Sequence, residues 1–385
     1  MMGWDEVVGQ DAAVAAVRAA AERGEGMTHS WLITGPPGSG RSNLAYAFAA
    51  ALIARDGEDP AAVEAQVHAR THPDLGVLST ERVIIAIEEV RQLVAKSQFS
   101  PSSGRYRVMV IEDADRMTER TSNVLLKALE EPPPRTVWIL CAPSEADLIP
   151  TIRSRVRSLR LRVPTVREVA ALLEQRDGVP AAIAETAARE AQSHIGMAHR
   201  LATDADARER RSRTLQAALG IRSVGGAVRA AAELHEIAAA DAKAITEERD
   251  AVEREEALRS LGVEPGGTVP PALRAQLKHL EEDQKRRATR SLRDGLDRIL
   301  VDLLSLYRDV LVTQLGVGGE LVNAAIADGI REAAALGDAP QTLATLDAVA
   351  EARTRIEGNV APLLAIEAAL VSAVRVREAQ PGGAR

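Results

Sequence analysis

Eight consecutive residues, Gly35-Pro36-Pro37-Gly38-Ser39-Gly40-Arg41-Ser42, have the glycine spacing of a loop that cradles phosphate. Glycines let backbone approach an anion closely, and a helix opening behind them turns its free N–H groups toward it. A working loop of this type carries lysine where this chain has Arg41. Lysine sets a compact ammonium between the outer phosphates, whereas a guanidinium is longer, planar and forked. Ser42 keeps a hydroxyl able to ligate magnesium. The second acidic element of such sites follows an apolar strand, with an aspartate for magnesium and then a glutamate that activates water. Here the order is Glu112-Asp113, so the shorter acid falls about one carbon–carbon bond short of the attacking water, and catalysis is sensitive to errors of about 1 Å. Gly35, Gly38, Ser39, Gly40, Arg41, Ser42, Glu112 and Asp113 thus outline a vestigial nucleotide site. Descent from a nucleotide-binding loop is expected, turnover is not, and bound ATP with magnesium is not required.

The elements around these residues alternate. A helix over Asp11 to Arg23 is followed by apolar strands at Trp31–Thr34, Arg107–Ile111 and Val137–Cys141. A fourth strand, Leu159–Val163, alternates apolar and basic residues. Short apolar strands separated by helices predict an α/β domain with a parallel sheet covered on both faces. From Pro164 the strand pattern ends. Residues 165–204 predict about three short helices, punctuated by Gly178-Val179-Pro180 and by Gly196, and the remainder reads as all-α. The divisions expected are 1–163, 164–204 and 205–385. Leu292, Leu296, Ile299, Leu303, Leu306 and Val310 form one helical apolar stripe. Glu264 to Pro271 reads as a loop between long helices, and Pro381–Arg385 as a frayed end.

Composition narrows the function classes. The 385 residues include 48 basic and 55 acidic side chains, a net charge of −7, which argues against a surface that coats nucleic acid all over. Cys141, the single cysteine, lies in an apolar run and reads as core, so neither a disulfide framework nor a cysteine-rich zinc site is expected. His68 and His72 stand four apart without further ligands and read as surface or helix residues. No secretory signal and no membrane-spanning run of about 18 apolar residues is seen, so a cytoplasmic protein without membrane contact is expected.

More specific is an ordered set of motifs. Val7-Val8-Gly9-Gln10, Thr71-His72-Pro73-Asp74, Leu125-Leu126-Lys127-Ala128-Leu129-Glu130-Glu131-Pro132-Pro133 and Leu148-Ile149-Pro150-Thr151-Ile152-Arg153-Ser154-Arg155-Val156 resemble the modules of the bacterial DNA polymerase III clamp loader, an AAA+ family. The likeness covers about residues 4–165 and weakens through 204. It implies a P-loop AAA+ domain, a helical lid and an all-α collar through which subunits assemble. Within the family the chain is more similar to the delta-prime subunits than to the hydrolysing gamma/tau subunits. Lysine is replaced by Arg41, and His199 stands where the lid arginine is expected, with Arg200 beside it. The zinc module that many delta-prime subunits keep is missing between Leu52 and His72.

The resemblance also implies roles and partners. Arg155, with Ser154 beside it, would act in trans as an arginine finger on ATP bound by a neighbouring subunit. A permanently charged guanidinium suits that task. The plainer reading is a pair between Arg155 and a carboxylate, and Arg153, Arg157, Arg160 and Arg162 also allow a general basic interface. Implied partners are gamma/tau and delta subunits and, through the complex, the sliding clamp and primed DNA. Lys285-Arg286-Arg287 reads as a solvated helix face. Rival readings are an active clamp-loader or DNA-repair ATPase, and a regulatory module that holds ATP without turnover. A helicase fits least, since no groove of stacking aromatics is seen.

Overall fold

A computed structural model describes residues 3–80, 84–260, 274–358 and 360–374. The chain divides into two compact units, Met1–Thr203 and Asp204–Arg385. The expected loop at Glu264–Pro271 and the end at Pro381–Arg385 lie outside the described residues.

The first unit opens with helix α1 (Asp11–Arg23), strand β1 (Ser30–Thr34), helices α2 (Arg41–Ile53) and α3 (Pro60–His68), and strand β2 (Leu75–Leu78). Helix α4 (Ile87–Ser97), β3 (Arg107–Ile111), α5 (Glu119–Glu130), β4 (Thr136–Ala142), α6 (Pro150–Arg153) and β5 (Arg157–Arg160) follow. The five strands are all parallel, in the order β2-β3-β4-β1-β5. Because strand side chains alternate, each central strand feeds two cores. Trp31, Ile33, Val108, Val110, Val137, Ile139 and Cys141 pack with α1, α2 and α3 on one face. Leu32, Met109, Ile111, Trp138 and Leu140 pack with α4 and α5 on the other. The Cys141 thiol is fully buried, and burial pushes its pKa up to about 12.

Two strand expectations are corrected. β2 escaped notice because it is four residues long with Gly76 inside, too short for periodicity to register. The last strand is Arg157–Arg160 rather than Leu159–Val163, although Leu161 N still donates to Thr34 O at 2.7 Å. Its basic residues mark an edge strand, where charge blunts pairing with other chains. Gln10 fixes the exit from this strand: its amide donates to Arg162 O at 2.8 Å and accepts from Arg162 N at 3.0 Å.

Three short helices complete the unit, α7 (Val166–Asp177), α8 (Ala181–Glu190) and α9 (Ile195–Thr203). Gly178 ends α7 in the left-handed conformation, as its position suggests. Gly196 does not punctuate; it lies inside α9, and the break falls just before, at Gln192 and Ser193.

The second unit is helical among its described residues: α10 (Ala205–Leu219), α11 (Val224–Ser260), α12 (Arg274–Leu315), α13 (Ala327–Leu336), α14 (Ala339–Glu357) and α15 (Pro362–Val371). The long pair α11 and α12 is antiparallel, since Asp241 meets Arg298, Glu253 meets Arg287 and Arg254 meets Glu281. The predicted stripe is the core seam, with Leu296, Ile299, Leu303, Leu306 and Val310 buried and Leu292 packed against them. Arg287, read as part of a solvated face, is paired with Asp250 and Glu253. A buried polar knot locks the far end: Asp309 accepts from Asn323 N at 2.8 Å and Nδ2 at 3.0 Å, and Asn323 Oδ1 accepts from Arg211 at 2.5 Å.

Candidate functional site

The phosphate-type loop joins β1 to α2 at the carboxyl end of the sheet, where ligands of open α/β folds bind. Gly38 and Gly40 have φ of 77° and 89°, a region that glycine enters without steric cost. Gly40 is the cap of α2, and Leu44 N donates back to its carbonyl at 2.9 Å. A Cβ at Gly35 would lie 2.7 Å from Ser39 Oγ and 2.9 Å from Leu161 Cβ, so the close approach needs glycine there. Ser39 is 2% exposed, and neither its hydroxyl nor Arg41 Nη1 has a hydrogen-bond partner among the described residues.

Helix α9 comes down on this loop. Gln192 and Ser193 adopt left-handed φ of 50° and 64°, a strained pair for residues with side chains. That turn puts the His194 ring so close to Gly38 that a Cβ there would sit 2.3 Å from His194 Cγ. Ile195 N donates to Gly38 O at 3.2 Å, and Met197 N donates to His194 Nδ1 at 3.2 Å, making His194 the N-cap of α9. His199, at the expected lid-arginine position, is bound through Nδ1 to Asp177 at 2.7 Å.

The acidic pair leaves β3 at the same end of the sheet. Glu112 Oε1 accepts from the Tyr46 hydroxyl at 2.5 Å and from Arg70 Nη2 at 3.0 Å. Burial, reinforced by the hydrogen bond to Glu112, pushes the Tyr46 hydroxyl well above its ordinary range, so it stays a donor at any physiological pH. Asp113 lies 4.0 Å from Arg116, and burial raises the pKa of Asp115 beside them. Neither Tyr46 nor Arg70 was singled out from sequence, because nothing local marks them as partners of an acid so far along the chain.

Asp74 of the Thr71-His72-Pro73-Asp74 motif is buried and structural. It accepts from the backbone N–H of Ser102, Ser103 and Gly104 at 2.6–2.7 Å and from Arg107 at 2.9 Å. Burial raises its pKa, but these donors outweigh burial and hold the carboxyl well below the usual range. His72 is corrected: it is 7% exposed, lies beyond the end of α3, and accepts from Asp74 N through Nδ1.

Arg155 stands at the other end of the sheet. Arg157 is in register with Trp31, four residues before Gly35. At about 3.3 Å per residue that is about 13 Å of strand, and Arg155 enters two residues earlier still. Its guanidinium is half-buried, with Nε 2.7 Å and Nη2 2.5 Å from Glu130 Oε1. Nη1 donates to Thr151 O at 2.7 Å and to Ser154 Oγ at 3.1 Å. Of the neighbouring arginines, Arg157 donates to Gly26 O and lies over the Trp31 ring, and Arg162 pairs with Glu168 at 2.5 Å.

Comparison with known proteins agrees with the motifs. Residues 9–165 match the family model described as DNA polymerase III, delta subunit. This region is similar to the proteins of the DNA polymerase III clamp loader. A delta-prime subunit of that polymerase from Pseudomonas aeruginosa is 36% identical over 137 residues, 33% of this chain and 41% of that protein. The Escherichia coli delta-prime subunit is 32% identical over 146 residues, 35% and 43% of the two chains. The gamma/tau subunit of Mycobacterium tuberculosis is 29% identical over 174 residues, 44% of this chain and 30% of that one. The chain thus spans less than half the length of these clamp-loader relatives. Among solved structures, a Thermotoga maritima gamma subunit-related protein has 14% identity and a TM-score of 0.41, with 94% of this chain and 98% of that one covered. No described helix is long and apolar enough to cross a membrane.

Proposed function

We propose that this chain is a delta-prime-like subunit of a DNA polymerase III clamp loader, one that turns over no ATP at its own loop and lends Arg155 to a neighbour's site. The observation that carries this reading is the position of Arg155. It precedes β5, whose first residue is about 13 Å of strand from the chain's own phosphate loop, beyond what an arginine side chain spans, so any phosphate it serves is bound elsewhere. A guanidinium presented in trans meets the charge that develops as a γ-phosphoryl group transfers.

The chain's own loop supports the same division of labour. A hydrolysing site needs a lysine at the loop and a carboxylate free for magnesium. Here Arg41 takes the lysine position, Glu112 is engaged by Tyr46 and Arg70, and Gly38 is covered by His194. These residues do not fit a magnesium nucleotide held for hydrolysis, and ATP turnover at this loop is no part of the proposal. The second unit, helical among its described residues, would supply the chain's share of the collar, beside gamma/tau and delta subunits in the cytoplasm. Clamp and primed DNA would be met through the assembly, with any DNA contact made to phosphate and therefore salt-dependent and sequence-blind.

The similarity to gamma/tau favours one rival, an active ATPase. The test is co-purification with the other clamp-loader subunits, followed by ATP turnover with primed DNA. Omitting this chain, or replacing it with Arg155→Ala, should lower turnover at least about tenfold, while the isolated chain hydrolyses nothing above background. Brisk hydrolysis by the isolated chain would establish the rival.

A further inference from the structure

Every nitrogen of the Arg155 guanidinium has an acceptor within its own chain. Glu130 Oε1 takes Nε and Nη2, while Thr151 O and Ser154 Oγ take Nη1. The group is gripped along one edge by a carboxylate and at the other by the turn that ends α6. Thr151 and Ser154 are local to the arginine. Glu130 is not; it arrives from the end of α5, on the far side of β4 in sequence.

Stability does not explain Glu130. It is the last residue of α5, where the helix dipole disfavours negative charge. Its side chain is 46% exposed, and ion pairs that open to water add little to stability. What the contact does achieve is order. A free arginine side chain samples many rotamers, and a catalytic group displaced by about 1 Å can lose about a hundredfold in rate.

We propose that Glu130 is a positioning residue for Arg155, fixing the guanidinium before a neighbouring subunit docks. This rests on the reading of Arg155 as a group that acts in trans. Nε stays on Glu130 as an anchor, and the second N–H of Nη2, not needed by the carboxylate, is the one that meets a phosphate oxygen of the neighbour. Nothing is transferred to or from Glu130. The opposite assignment, a counter-charge that restrains the finger until docking, predicts faster turnover when Glu130 is removed, so the sign of one measurement separates them.

The experiment is steady-state, primer-dependent ATP turnover by the reconstituted complex carrying full-length variants of this chain. Glu130→Ala should lower kcat about tenfold with KM for ATP within about twofold, because orientation and not nucleotide binding is lost. Glu130→Gln keeps an oxygen acceptor for Nε and should recover to within about threefold of the parent. The double variant Glu130→Ala with Arg155→Ala should be no slower than Arg155→Ala alone, a coupling that a general loss of folding would not give. If Arg155→Ala is slow while Glu130→Ala turns over at or above the parent rate, the positioning role falls and the trans arginine stands. An Arg155→Ala complex with parent turnover overturns both.

Discussion

The Glu112 carboxylate accepts from two side chains that approach from α2 and from the turn after α3, so no single substitution sets it free. Its sequence position is the one expected of an acid beside a phosphate-type loop, but its partners decide what that acid can do. Asp74 makes the complementary case, an acid of a family motif whose work is structural. Asp74→Asn would set an amide N–H₂ against backbone donors and leave Arg107 without its buried counter-charge. The cost expected is about 3–5 kcal/mol, read as a lower urea midpoint for the first unit. The pH dependence has a definite sign. The folded pKa of Asp74 lies below that of the unfolded chain, about 3.9, so its contribution is complete above that value and is lost as pH falls further toward the folded pKa. Between pH 5 and pH 2 the parent should therefore lose stability more steeply than Asp74→Asn, as thermal melts across that range would record.

Elements bring distant residues together at the phosphate-type loop. The strained turn at Gln192 and Ser193, the cap at His194 and the N-terminus of α9 act as one piece resting on Gly38. If the loop holds no nucleotide, as proposed, and that contact is the cause, restoring a lysine alone should change little. Arg41→Lys is expected to bind a fluorescent ATP analogue no better than the parent. His194→Asn removes the ring yet keeps a good N-cap residue, so it should retain stability to within about 1 kcal/mol and bind the analogue at least about tenfold more tightly. Gain of binding by Arg41→Lys and none by His194→Asn would place the defect in the guanidinium. The parallel sheet has its own element-level consequence. Because β5 runs alongside β1, the residues before it and the loop after β1 lie at opposite ends, which separates Arg155 from Arg41 within one small domain.

Across the whole molecule, each unit has a core of its own. The second unit closes its seam with Leu296, Leu303, Leu306 and Val310, and its buried Asp309–Asn323–Arg211 knot draws no member from the first. Residues 204–385 expressed alone should therefore be helical by circular dichroism and melt cooperatively. Asp309→Ala in that fragment should cost about 3 kcal/mol or more by stranding buried donors, lowering the melting temperature by several degrees. A fragment that is unfolded in isolation would mean that the first unit is needed to complete its core.

Much of this protein is written locally. The glycine spacing of residues 35–42 marked a phosphate-type loop between a strand and a helix, and apolar runs marked the central strands. The order of Glu112 and Asp113 already argued against turnover, because turn chemistry, strand period and side-chain length act over a few residues. What tertiary structure decided are the partners that arrive from elsewhere: Tyr46 and Arg70 on Glu112, His194 on Gly38, Glu130 on Arg155. Strand order belongs with them, since a parallel sheet joined by helical crossovers leaves neighbours in space far apart in the chain. The chemistry of a side chain is set by its residue type, but its availability is set by whatever the fold packs against it.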